Sequence, residues 1–68
     1  MILYVSDGCP KCRIAEKVAN EDVVIQAAED NIDKFESHNV STVPVLELDD
    51  GIWVTDFTNI MSYLKGDK

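Results

Sequence analysis

The sequence is short of several things at once, and each shortage removes a class of function. It has six lysines and arginines against 13 aspartates and glutamates, for a net charge of −7. A surface so poor in cations is a bad fit to nucleic acid or to an anionic membrane. The acids are dispersed, with short clusters at Glu21-Asp22, Glu29-Asp30 and Asp49-Asp50, which reads as a solvated surface. A basic protein partner is permitted by that charge. No apolar run approaches the roughly 20 residues that cross a bilayer. The N-terminus lacks the basic region and long apolar stretch of a secretory signal, so a cytoplasmic location is expected. There is one histidine, His38, and there are two cysteines, Cys9 and Cys12. That is thin material for zinc within one chain, since zinc usually takes four ligands. No serine–histidine–aspartate constellation, glycine-rich phosphate loop, internal repeat or low-complexity segment is present.

What is present suits one small fold. A chain of 68 residues buries only about 60% of its unfolded surface, which limits it to two layers around one core. Residues 1–68 are therefore expected to form a single domain, and a monomer is expected.

The pattern along the chain predicts seven elements. Residues 2–6 are β-rich and almost wholly apolar, as in a strand covered on both faces. After the Asp7-Gly8 turn, Pro10 suits the first turn of a helix. Ile14, Ala15, Val18 and Ala19 recur at helical spacing, predicting a helix over about 10–20. Residues 23–28 read as a second buried strand. Asn31 is a good cap, and Ile32 and Phe35 share a face of a short helix over 31–39. Residues 43–48 read as a third strand whose start is demoted by Pro44. Asp49-Asp50-Gly51 signals a hairpin into a fourth strand, 52–54. Phe57, Ile60, Met61 and Leu64 line the core face of a last helix ending before Gly66. The order βαβαββα predicts an α/β fold: a four-stranded mixed sheet with three helices covering it.

The chemistry is concentrated in Ser6-Asp7-Gly8-Cys9-Pro10-Lys11-Cys12. A cysteine pair two residues apart in a reducing cytosol is more often catalytic or metal-binding than a structural staple. Cys9 stands just before a helix, where free backbone N–H groups and the dipole favour a thiolate. Lys11 adds positive charge nearby and Asp7 works against it. Cys12 lies one turn in and is expected to be less exposed. Cys9 is therefore the candidate nucleophile and Cys12 the resolving thiol, with Pro10 restraining the loop between them. Alternatives stay open at this point. The pair could be inert, could be half of a metal site, or could share an iron–sulfur cluster with a second chain.

Tyr4-Val5-Ser6-Asp7-Gly8-Cys9-Pro10-Lys11-Cys12 resembles the strand-loop-helix active site of glutaredoxins, and Thr42-Val43-Pro44 resembles their T-V-P segment. The order βαβαββα is similar to the minimal thioredoxin fold. The resemblance covers essentially the whole chain. It implies a thiol–disulfide oxidoreductase reducing protein or glutathione mixed disulfides, with Cys9 attacking and Cys12 resolving. It implies that Pro44 is cis and lies against the cysteine pair, leaving the Thr42-Val43 backbone able to pair with substrate. It implies no bound cofactor, and electrons from glutathione or from a thioredoxin-reductase-type flavoprotein. Some similar proteins serve ribonucleotide reductase, which makes that enzyme a candidate protein substrate. The flanks depart from the glutathione-using pattern. Lys11 stands where a tyrosine is frequent, Asp7 lies in a stretch that often carries a lysine, and Thr55-Asp56-Phe57-Thr58 replaces a Gly-Gly-x-Asp segment. Lys11 and the backbone N–H groups of Phe57 and Thr58 remain as candidate contacts for an anionic ligand. Asp56 or Asn59 is a candidate substitute for the missing aspartate. A metal or cluster carrier, or a redox-inactive peptide-binding module, is the competing reading.

The remaining notable residues have ordinary expectations. Tyr4, Met61 and Phe57 are expected in the core, Trp53 in the core or half in it, and Tyr63 at the surface or half-buried on its helix. His38 is expected near a helix C-terminus, where a cation suits the dipole. Glu47 is expected to point outward from its strand.

Overall fold

β1 (Ile2–Val5) is the strand on which the rest of the sheet is laid. In the computed structural model, which describes residues 1–66, it is followed by α1 (Pro10–Val18) and β2 (Val24–Ala27). A 3-10 turn (Ala28–Asn31) leads into α2 (Ile32–Ser37), then β3 (Val45–Glu47), β4 (Trp53–Val54) and α3 (Phe57–Leu64). The last two residues of the expected 1–68 domain lie outside the described residues. β1 pairs in parallel with β2, Ile2 opposite Val24, and antiparallel with β3, Tyr4 opposite Val45. β4 pairs antiparallel with β3, Glu47 opposite Trp53. The sheet order is β2-β1-β3-β4. This mixed four-stranded sheet with three helices is the α/β arrangement predicted, with the minimal thioredoxin-like topology.

Strand alternation sends neighbouring side chains to opposite faces, and β1 uses both. Leu3 joins Ala15, Leu46, Ile60 and Leu64 under α1 and α3. Tyr4 joins Phe35 and Val45 under α2, with Trp53 packed beside them. Both Leu3 and Tyr4 are fully buried, as a central strand with two covered faces requires.

Several boundaries and burials differ from expectation, for physical reasons. α1 stops at Val18 because Ala19 turns extended, and the Asn20 side chain then accepts the Asp22 N–H at 2.9 Å in a local turn. α2 stops at Ser37: His38 caps it and Asn39 adopts φ +55, a left-handed conformation that asparagine tolerates. Asn31, expected to begin it, closes the 3-10 turn instead. β3 begins after Pro44, which has no N–H for the ladder. β2 is an edge strand, not a buried one, and Val24 and Ile25 are 52% and 41% exposed. Ile14 and Ile32, expected in the core, are 49% and 57% exposed. α1 covers the sheet through Cys12 and Ala15, and Ile14 sits about 100° round the helix from Ala15. In α3, Ile60 and Leu64 are fully or nearly buried while Phe57 and Met61 are half-buried at the margin.

Candidate dithiol site

The site is built where β1 ends and α1 begins. Gly8 takes φ +74 in the turn, a conformation glycine adopts without steric cost. Cys9 is then the N-cap of α1 with extended backbone, and Pro10 is the first helical residue. The Cys9 carbonyl accepts the Arg13 N–H at 3.2 Å. The Cys9 sulfur takes the role a serine or aspartate oxygen often fills: it accepts the Cys12 N–H at 3.2 Å. Both cysteines are free thiols, Cys9 half-buried and Cys12 fully buried. Burial first, and then the hydrogen bond with Cys9, push the Cys12 thiol up to about 11; a backbone hydrogen bond from Ser6 pulls the other way. At neutral pH Cys12 is therefore a protonated thiol held beside the half-buried Cys9.

The proline segment lies beside the same strand end. The Val43–Pro44 bond is cis and Pro44 is buried. Continuing the β1–β3 register two residues past Tyr4–Val45 sets Ser6 opposite Val43. Val43 is half-buried and lines a groove together with Ser6, while Thr42 is exposed. On the other flank, the Lys11 ammonium lies 5.5 Å from the centroid of the Phe57 ring, within cation–π reach. Thr58 is exposed one residue on. Asp56 caps α3 and its carboxylate accepts the Asn59 N–H at 3.1 Å. An anion approaching the Phe57 and Thr58 N–H groups thus meets a carboxylate already in place. No protein-family model matches this chain, and no curated protein or solved structure matches it either. The chemistry rests on these residues and their geometry.

Glu47 corrects one expectation. It does not point outward: it is half-buried, and its Oε1 accepts both the Tyr4 hydroxyl at 2.8 Å and the Trp53 Nε1–H at 3.1 Å. The available signal was that a buried tyrosine and tryptophan each need a polar partner, and Glu47 is the acid in register with Trp53. His38 caps α2 as expected and also stacks on Trp53, with ring centroids 4.0 Å apart and planes 7° apart. Tyr4 and Phe35 complete the aromatic cluster against Trp53.

This cluster carries a pH prediction. Burial first, then the Glu47 carboxylate, raise Tyr4 from 10.0 to about 12. Cys12 is likewise raised, from 9.0 to about 11. In each case the fold favours the neutral acid, so that stability is complete below the unfolded value and is lost as pH climbs toward the folded one. Stability should therefore hold to about pH 9 and fall steeply between about 10 and 12, with two linked protons. Tyr4→Phe should cost about 1 kcal/mol at pH 7 and make the alkaline fall shallower by about one proton. Urea midpoints measured from pH 7 to 11 test this; an unchanged alkaline slope in Tyr4→Phe would refute it.

Proposed function

We propose that this chain is a glutaredoxin-like dithiol–disulfide oxidoreductase. In the first step the Cys9 thiolate attacks a substrate disulfide, forming a Cys9–substrate mixed disulfide and releasing one substrate thiolate, which takes a proton. In the second, Cys12 gives up its proton and attacks the Cys9 sulfur, forming the Cys9–Cys12 bridge and releasing the second substrate thiol. Two electrons and two protons pass from the dithiol to the substrate. A thiol such as glutathione, or a flavoprotein reductase of the thioredoxin-reductase type, then returns them in a reducing cytoplasm.

The observation that carries the reading is the pairing at the α1 N-terminus. Cys9 is half-buried and its sulfur caps the helix; Cys12, one turn on, is wholly buried and donates its backbone N–H to that sulfur. An attacking thiol needs access, and a resolving thiol needs proximity and shelter from competing disulfides. Pro44 and Val43 beside the strand end support the same reading by offering a surface for an extended substrate.

The test is stoichiometric. Fully reduced protein treated with a small neutral disulfide should lose both thiols and gain an intramolecular bridge, and NADPH with thioredoxin reductase, or glutathione with its reductase, should restore them. Retention of both thiols, or a lasting adduct on one of them, would sink the proposal.

A further inference from the structure

A groove of about 420 Å³ runs between α2 and the segment that leads into Pro44. Its apolar lining comes from Ala28, Ile32, Phe35, Val40 and Val43, and Ser6 lines it as well. Ser6 follows the last residue of β1 and immediately precedes the Asp7-Gly8 turn into Cys9. The groove thus opens at the cysteine end of the sheet. The β1–β3 ladder stops at Tyr4–Val45, so the Thr42–Val43 backbone runs past it along the groove mouth.

Two features say what fits there. Ile32 is 57% exposed although α2 is only six residues long and Phe35 is its buried anchor. An apolar side chain left open on a concave surface suits an apolar partner group. The charged residues lining the groove are both acids, Glu29 and Glu36, and both are exposed. Asp30 and Asp33 add negative charge in the adjoining 3-10 turn and α2, and Lys34, which is not among the groove's lining residues, donates to the Tyr4 hydroxyl at 3.5 Å. An apolar floor with an acidic rim disfavours a dicarboxylate such as glutathione and favours an apolar side chain flanked by cations.

We propose that this groove selects the substrate of the dithiol: a disulfide-bearing polypeptide segment that seats an apolar side chain between α2 and Val43 and sets a lysine or arginine against Glu29 and Glu36. The inference rests on the thiol–disulfide reading above. The chemistry is the same two-step exchange, with the pre-reduced Cys9–Cys12 dithiol as the only electron source, so no further donor is needed in a single turnover.

The experiment follows single-turnover oxidation of reduced protein by symmetric disulfides of blocked peptides: Lys-Leu-Cys-Lys, Lys-Ser-Cys-Lys and Glu-Leu-Cys-Glu. Bis(2-hydroxyethyl) disulfide serves as neutral reference. Each rate is divided by the rate with dithiothreitol, which removes the effect of flanking charge on the leaving thiol. At low salt the Lys-Leu peptide should exceed the Glu-Leu peptide about tenfold and the Lys-Ser peptide about fivefold. At 1 M salt, where the Debye length is about 3 Å, the charge preference should collapse while the leucine preference stays. Glu29→Gln with Glu36→Gln should bring the Lys-to-Glu ratio to about one, and Ile32→Ser should do the same for the Leu-to-Ser ratio. All three residues are exposed, so these substitutions leave the core intact. Oxidation by the reference disulfide with normalised peptide rates within about twofold of one another would overturn the groove assignment and leave the dithiol reading standing. Failure of the reference disulfide to oxidise the pair would take both down.

Discussion

Cys9→Ser is expected to abolish disulfide exchange, and Cys12→Ser to stop it half-way. The two sulfurs sit in one helical turn but in opposite environments. Cys9 is half-buried at the N-cap, and Cys12 is fully buried. Only Cys9 can be reached by a disulfide in solution. A serine hydroxyl is not ionised near neutral pH, so exchange should fall on the order of 10³-fold or more in Cys9→Ser. In Cys12→Ser the first attack is intact, and the Cys9–substrate mixed disulfide should persist and be visible as an intact-mass adduct. The second step has its own signature. With Cys12 raised to about 11, its thiolate fraction grows about tenfold per pH unit through the neutral range. Resolution of a preformed mixed disulfide should accelerate accordingly. The hydrogen bond and charge of Cys9 are among the causes of that elevation; both vanish once Cys9 is in a mixed disulfide, so the profile should bend below pH 11. Stopped-flow measurement from pH 6 to 10 tests it. A Cys12→Ser protein that releases its adduct as fast as the wild type would show that Cys12 does not resolve.

How far the sequence discloses this molecule depends on whether a feature is local. The turn at Asp7-Gly8, Pro10 at the helix start and the Asp49-Asp50-Gly51 hairpin are written in adjacent residues, and all are found where expected. The topology follows from their order. Burial at the margins is not local. Val24 and Ile25 look like any buried strand, yet strand order leaves β2 at an edge. Ile14 and Ile32 fit a helical stripe, but a sheet this small covers a narrower arc of each helix than the stripe allows. Glu47 follows the alternation of an outward residue, and it is the two covered faces of the sheet that bring Tyr4 and Trp53 to it. The candidate site divides the same way. Cys9, Pro10 and Cys12 are contiguous and legible. The groove joins Ser6, Ile32, Val40 and Val43, and no pattern in the chain marks these four as neighbours until β1, α2 and β3 are assembled.

Leu46→Ala is expected to bring this chain close to unfolding under ordinary conditions. Leu46 is fully buried in β3, in register with Leu3 on β1 and with Val54 on β4. It packs in the cluster that holds Ala15 of α1 and Ile60 and Leu64 of α3. Truncation there removes contacts to both flanking strands and both helices of that face. A core Leu→Ala change costs about 3 kcal/mol where the surroundings cannot collapse into the gap. At about 0.05–0.15 kcal/mol per residue, a chain of 68 residues has roughly 3–10 kcal/mol of total stability, so the loss is a third of it or all of it. Exposed Ile32→Ala, by contrast, should cost within about 0.5 kcal/mol. Urea unfolding should show the Leu46→Ala midpoint lowered by about 2–3 M, for a slope near 1 kcal/mol per molar. A shift below about 0.5 M would mean the cluster repacks and the estimate of its rigidity is wrong. The consequence for the site is separable from the chemistry. Pro44 precedes Leu46 by two residues on the same segment, while neither Cys9 nor Cys12 is a member of that core cluster. Exchange activity in Leu46→Ala should therefore track the folded fraction, and a stabilising osmolyte, which acts by exclusion from exposed surface, should recover both together.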